Sequence, residues 1–358
     1  MKRIFNLLLI LAVNIAENEA SLQEFVKGNN LFAASLYKQM VRGGNANFLT
    51  SPYSAETVFA FVHSGSKGET AHEIQKSLHL PDAKREIEVA IKMTMSDLES
   101  NDLYTFHSAN KMYIKEGMPL KKEFRNTAIG VFKADIENID FGRNEEAAKT
   151  IDDWVEKQTS NKIKNLINSK GLDGSTISVL INAIYFKADW RNKFLASNTK
   201  LIDFHKTKNL VVKVSAMHHN EKWFNYSECS ELNAKFLELP FEDEDVSMII
   251  VLPNEIEGLA SLEANVEKTF ALRNFSRELV NVALPKFKIE TKTKLMGILK
   301  NLGIKKAFNG QEADLSGIAG EKGDLVITDA LQKTYIDVAE NGVEAAAATY
   351  IGMFMFPI

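Results

Sequence analysis

One stretch near the C-terminus limits what this chain can become: Ala339-Glu340-Asn341-Gly342-Val343-Glu344-Ala345-Ala346-Ala347-Ala348-Thr349. It follows a β-rich run, Leu325 to Val338, and precedes an apolar end, Tyr350 to Ile358. Glu-Asn-Gly reads as a hinge, since Gly342 can take backbone angles that its neighbours cannot. Alanine is the best helix former, so propensity alone makes the following run a helix. Alternation offers a second reading. Extended, the run shows Val343, Ala345, Ala347 and Thr349 on one face and Glu344, Ala346 and Ala348 on the other. A segment that slips between two strands of an existing sheet needs such small, uncharged inward residues, because a bulky or charged one would clash or be buried unpaired.

The opposite end is equally legible. Met1-Lys2-Arg3 and the apolar run Ile4 to Ala12, broken only by Asn6, read as a signal peptide (residues 1–20) cut near 16–20, with Ala16 and Ala20 as candidate sites. The run is too short to span a bilayer, and no other stretch is long and apolar enough. The remaining 21–358 reads as a single domain. The whole sequence is 45% hydrophobic and 25% charged, enough for an ordinary globular core. Cys229 is the only cysteine, so an intrachain disulfide is impossible and stability must come from that core. A net charge of -4 gives no reason to expect nucleic acid or an anionic membrane as partner. Asn225-Tyr226-Ser227 and Asn274-Phe275-Ser276 are acceptor sequons that suit a secretory route.

Along the chain, Ser21-Leu22-Gln23-Glu24 is a capping box before Phe25, Phe32, Leu36 and Tyr37 at helical spacing. A second helix is expected over 55–64 with Ser54 as cap, and a third after the capping box Thr70-Ala71-His72-Glu73, stopping near Pro81. Lys111 to Ile114 reads as extended and Leu120 to Val131 as helical. Asn144 caps a helix striped by Ala147, Ile151, Trp154 and Val155. Ser178 to Phe186 is nearly continuous apolar, as a strand buried on both faces would be, with Asn182 in its middle requiring hydrogen-bond partners. Leu210 to Val214, Phe236 to Leu239, Val246 to Leu252 and Val280 to Ile289 read as strands. Thr293 is the expected cap of a helix that Gly303 ends. Helices dominate the first half and strands the second, which predicts one large α+β domain with mixed and antiparallel sheets.

Several of these segments together resemble the serpins, in family order and over essentially the whole mature chain. They are Asn47 with Ser51-Pro52 and Ser54; Asn182-Ala183-Ile184-Tyr185-Phe186-Lys187 with Trp190, Phe194 and Thr199; Ser247-Met248 with Leu252-Pro253; Leu284-Pro285-Lys286-Phe287; Ala313-Asp314-Leu315-Ser316-Gly317; and the hinge. The chain is similar to insect secreted serpins in particular. It departs from the pattern in having Gln332 where the family commonly has histidine, and Ala188 where a glycine is often found. A member of the family continues for a few dozen residues past its reactive loop, so a serpin domain truncated after that loop is expected from a sequence ending at Ile358.

The resemblance implies a secreted, monomeric suicide inhibitor whose partner is a serine protease held as a covalent acyl-enzyme, with no catalysis of its own and no cofactor; the alternative is a truncated or non-inhibitory isoform that traps no protease. It implies a hinge over Glu340 and Gly342 to Thr349, a sheet-opening cluster of Ser51, Ser54, Asn182 and Gln332, and insertion-point residues Lys286 and Trp190. Glutamine at 332 can both donate and accept as the family's histidine does, without an imidazole's pH sensitivity. By family loop length the bond cut is Phe356-Pro357, with Met355-Phe356 and Phe354-Met355 as alternatives because proline on the leaving side hinders cleavage. Phenylalanine there implies a chymotrypsin-like target. Other candidates carry less. His218-His219 with Glu221 lack a further ligand set, so no metal is expected. Cys229 has no recognisable base, Glu242 to Asp245 reads as a solvated turn, and Lys121, Lys122 and Arg125 as a solvated helix face.

Overall fold

The computed structural model describes residues 20–42, 47–271 and 273–343. A helical layer comes first: α1 (Ala20–Arg42), α2 (Pro52–Ser64), α3 (Gly68–Leu78) and α4 (Lys84–Asp97). Then β1 (Tyr104–Lys115), α5 (Lys122–Gly130), β2 (Asp135–Ile139), α6 (Asn144–Gln158) and β3 (Ser178–Asp189) alternate. The second half is β-rich: β4 (Lys200–Thr207), β5 (Leu210–Cys229), β6 (Ala234–Pro240), β7 (Ser247–Pro253), β8 (Ser276–Pro285) and β9 (Phe287–Lys294). Short helices α7 (Leu259–Ala264) and α8 (Val266–Phe270) interrupt it, and α9 (Leu295–Leu302), β10 (Asp329–Val338) and β11 (Gly342–Val343) complete it. The α+β expectation holds, as does the drift from helix to strand. No described helix is long and apolar enough to cross a membrane.

Local signals placed the helices better than their caps. Pro52 opens α2, and Ser51 rather than Ser54 is its cap, accepting from Ser54 N at 3.4 Å. Ser54 through Val62 is buried without interruption, so α2 is a core helix and not an amphipathic one. Thr70 lies inside α3, where its buried hydroxyl accepts from Asp314 N at 3.0 Å instead of capping. Likewise Asn144 and Thr293 make no cap; the capping positions fall to Arg143 and Lys294 without a side-chain bond. The expected strand over 280–289 is two, β8 and β9, broken at Lys286.

Two sheets organise the described residues. The larger runs β2-β1-β3-β11-β10-β9 and the smaller β4-β5-β6-β7, with β8 also paired to β5. A helix-facing core of Phe25, Phe32, Leu36, Phe59, Phe61 and Ile74 lies on one side of the larger sheet. Between the sheets a second core forms around Trp190 and Phe241, whose rings stack at 4.7 Å and 8°. Beneath α6 a third contains Tyr113, Ile151, Val155, Val179, Ile181 and Leu331.

Candidate functional site: a seam in the larger sheet

The chemistry-bearing residues converge on the seam between β3 and β10. At one end the two strands pair in parallel, from Val179 opposite Asp329 to Ala183 opposite Lys333. Thr328 reinforces that end, its hydroxyl accepting from Ile177 N and Ser178 N at 3.0 and 3.2 Å. At the other end β11 lies between them. Gly342 pairs with Asp189 and Val343 with Ala188, both antiparallel to β3, while Val343 also pairs with Val338 of β10. From 184 to 187 β3 is laddered only to β1, and from Thr334 to Asp337 β10 is laddered only to β9.

The turn that delivers β11 is clamped on every side. Ala339 N donates to Gly342 O at 2.9 Å and Gly342 N returns to Ala339 O at 3.2 Å. The indole Nε1 of Trp190 donates to Ala339 O at 2.9 Å, Trp190 N to Asn341 O at 2.8 Å, and Phe194 N to Glu340 O at 2.9 Å. Glu340 closes the arrangement through Lys286 Nζ at 2.8 Å and Thr199 Oγ1 at 2.9 Å. Burial works to raise the Glu340 carboxyl, and the hydrogen bonds from Lys286, its own backbone N–H and Thr199 outweigh it, leaving it below the ordinary range. Lys286 and Trp190 both contact this turn, through Glu340 and Ala339. Thr199 and Phe194, which belong to the same family motif, enter beside them through a hydroxyl and a backbone N–H.

The expected need for unusual backbone angles at Gly342 is not what the structure displays. Gly342 is not among the residues with positive φ. A Cβ there would sit 2.1 Å from Ala188 O and 2.6 Å from Asp189 Cα, so glycine is required by close backbone approach to β3 rather than by angle. Val343 is fully buried in the inter-sheet core with Trp190, Phe241 and Met248.

Farther along the seam lies the polar cluster. Gln332 is fully buried; its Oε1 accepts from Thr50 Oγ1 at 2.7 Å and Ser51 N at 3.1 Å, and its Nε2 donates to Ser51 O at 3.0 Å. Asn182 is in register with Gln332 on one side and Asn110 on the other, while its side chain lies outside the described residues. Ser54 is buried one helical turn away. Thr50 and Thr334, whose hydroxyl donates to Leu49 O at 2.9 Å, complete the cluster unannounced by the sequence. A strap of residues 159–176 crosses the same seam. Lys333 Nζ donates to Lys164 O at 2.5 Å, Lys292 Nζ to Leu166 O, and Lys115 Nζ to Gly174 O at 2.6 Å, so β10, β9 and β1 all hold it. Asp152 accepts from Leu166 N and Ile167 N at 2.8 and 2.9 Å, anchoring the strap to α6.

The family model described as "Serpin (serine protease inhibitor)" matches residues 27–357. The chain is a serpin. It is 35% identical to Alaserpin of Manduca sexta, over 96% of this chain and 88% of that one. It is also 35% identical to Antichymotrypsin-2 of Bombyx mori, over 90% and 86%. Among solved structures it superimposes on Serpin48 of the insect Tenebrio molitor with a TM-score of 0.87 at 46% identity, covering 95% and 92%. The match extends through the hinge, whose Glu340, Gly342 and Val343 are described above. Glu344, Ala345, Ala346, Ala347, Ala348 and Thr349, the bonds among Phe354, Met355, Phe356 and Pro357, and the signal segment before residue 20 all lie outside the described residues. Of the serpin's two sequons, Asn225 is exposed on β5 with its Nδ2 on Glu238 Oε2 at 2.7 Å, and Asn274 is exposed ahead of β8. His219 is packed in the serpin core, its ring stacked on Phe194 at 4.2 Å and its Nε2 at 3.0 Å from Asn192 O.

Proposed function

We propose that this serpin is a secreted inhibitor of a chymotrypsin-like serine protease, acting once per molecule by loop insertion. The observation that carries the reading is the seam: Gly342 and Val343 lie between β3 and β10, and the next residues of both strands have a ladder partner on one side only. Continuing the antiparallel register sets Glu344 opposite Lys187, Ala345 opposite Phe186, Ala346 opposite Tyr185 and Ala347 opposite residue 184. Val343 faces the core, so period two turns Ala345, Ala347 and Thr349 inward, and alanine suits a face already filled by Phe186 and Ile336. Beyond Ala347 the Ala183–Lys333 bridge must open, which puts the Gln332 cluster and the strap in the path of further insertion.

In the chemical step the protease serine adds to the carbonyl of Phe356 and the Pro357 nitrogen leaves with a proton, forming an acyl-enzyme. Insertion then carries the attached protease away before water attacks the ester. The free energy comes from a native state held out of its most stable arrangement. Met355-Phe356 and Phe354-Met355 are the other bonds that serve. Removal of residues 1–20, export, glycans at Asn225 and Asn274, and a monomeric state belong to the same proposal. The test is incubation of the full-length protein with chymotrypsin, then denaturing electrophoresis and mass spectrometry. A covalent band whose mass places the acyl bond within 354–357 is expected. Cleavage with free, active protease and no band overturns the reading.

A further inference from the structure

Trp223 and Leu279 are 54% and 51% exposed and lie directly opposite one another on β5 and β8. A bulge puts the indole outside. Met217 and His219 are buried on the core face of β5, opposite Leu284 and Val282. The register then slips between His219 and Lys222, with Glu221 at φ 46°, and beyond the slip Phe224 takes the core face. Unbroken alternation from Met217 and His219 would have turned Trp223 inward; the slip turns it to solvent.

Neighbours of the pair on that outer face are polar. Asn225 lies two residues farther along β5, about 6.8 Å from Trp223. It is opposite Arg277 of β8 on one side and Glu238 of β6 on the other. Asn225 and Arg277 are exposed, as is Asn281, two residues beyond Leu279 on β8. Two apolar side chains set among polar ones offer far less than the roughly 800 Å² a side of a stable protein interface. They offer about the area of one sugar ring, and Asn225 opens the sequon Asn225-Tyr226-Ser227 on the same face.

We infer that Trp223 and Leu279 are the platform for the first N-acetylglucosamine of a glycan on Asn225. The inference rests on the reading of Asn225 as glycosylated. Attachment joins Nδ2 to the sugar's C1 as the bond from C1 to a pyrophosphate carrier breaks and one of the two Nδ2 protons leaves. The remaining N–H keeps the bond to Glu238 Oε2, 2.7 Å from Nδ2, and so fixes the direction in which the sugar departs. One face of the sugar ring is made of C–H groups, weakly positive, which complement the negative face of the indole. Its hydroxyls lie at the ring edge, within reach of Arg277. The sugar thereby takes exposed apolar surface out of water and stabilises the junction of β5 with β8.

The experiment expresses the full-length protein in insect cells with a mannosidase inhibitor, so that endoglycosidase H leaves a single N-acetylglucosamine on each occupied asparagine. It compares this trimmed protein with S227A, which lacks the Asn225 sequon, with W223A, and with W223A/S227A. Hydroxyl-radical oxidation of Trp223, read by peptide mass spectrometry, should be several-fold slower in the trimmed wild type than in S227A, with buried Trp190 as the internal control. The trimmed wild type should melt about 2 °C above S227A. W223A should melt with W223A/S227A, because the sugar has lost its platform. Equal Trp223 oxidation in the trimmed wild type and S227A overturns the platform and leaves the glycan reading intact. So does protection by the whole glycan that trimming abolishes, since bulk shielding needs no stacking. Exported protein with Asn225 unoccupied removes the glycan reading and the platform together.

Discussion

Glu56 is fully buried in α2, its Oε2 taking Asn29 Nδ2 and its Oε1 without a partner. Burial holds this carboxyl well above the ordinary carboxylate range, the Asn29 bond opposing only in part. The folded state therefore keeps a proton that the unfolded chain releases, and stability is greatest below the ordinary carboxylate pKa and falls as pH rises through the folded value. Glu56→Gln should flatten that dependence; melting temperatures across pH 4 to 9 check it, and an unchanged slope counts against a buried neutral acid. A glutamate amid α2's apolar run gives no sign in sequence of whether it faces water, because only the packing of α1 across α2 removes the solvent. Gln332 is the contrasting case. Its two-sided hydrogen bonding follows from the amide itself, although Thr50 and Ser51 as partners follow from how α2 meets the sheet.

Among the elements, β11 is two residues long and has the largest consequence. Gly342→Ala should expel it, since the new methyl would overlap the Ala188 carbonyl and backbone there cannot yield. Losing the burial of Val343 costs about 1.5–3 kcal/mol. Hydrogen exchange across 338–343 should accordingly quicken by roughly 10- to 100-fold in the variant. Unchanged protection would show that the strand does not depend on this approach. Helix caps show the limit of local reading. Ser51 and Thr70 both follow capping statistics, yet Ser51 caps α2 and Thr70 serves Asp314, because a contact 244 residues away outcompeted a local one.

For the whole molecule, the seam makes stability a property of topology. Between residues 184–187 and Thr334–Asp337 the facing backbone edges await a strand. A segment filling that gap gains on the order of eight hydrogen bonds at about 1 kcal/mol each, besides apolar burial. Cleavage beyond Tyr350 frees such a segment, so the nicked protein should melt on the order of 10 °C or more above the intact one. Calorimetry before and after limited proteolysis decides this, and equal melting temperatures would mean that no strand enters. The lysines that hold the strap to β1, β9 and β10 were not predictable, since each bonds a backbone carbonyl more than fifty residues away in sequence.

What the amino-acid sequence determined alone was periodicity and steric permission. The apolar run at 178–186 and the ordered motifs were enough for an α+β fold, and the alternation of small residues after Gly342 raised the expectation of a hinge. These are properties of neighbouring residues, and neighbours are what a sequence displays. Tertiary structure alone decided which strands Gly342 and Val343 enter, that a hydroxyl of Thr199 and the backbone N–H of Phe194 grip the turn before them, and that Glu56 is dry. Each depends on side chains far apart in the chain sharing one low-dielectric interior, where the strength of a contact is set by what surrounds it.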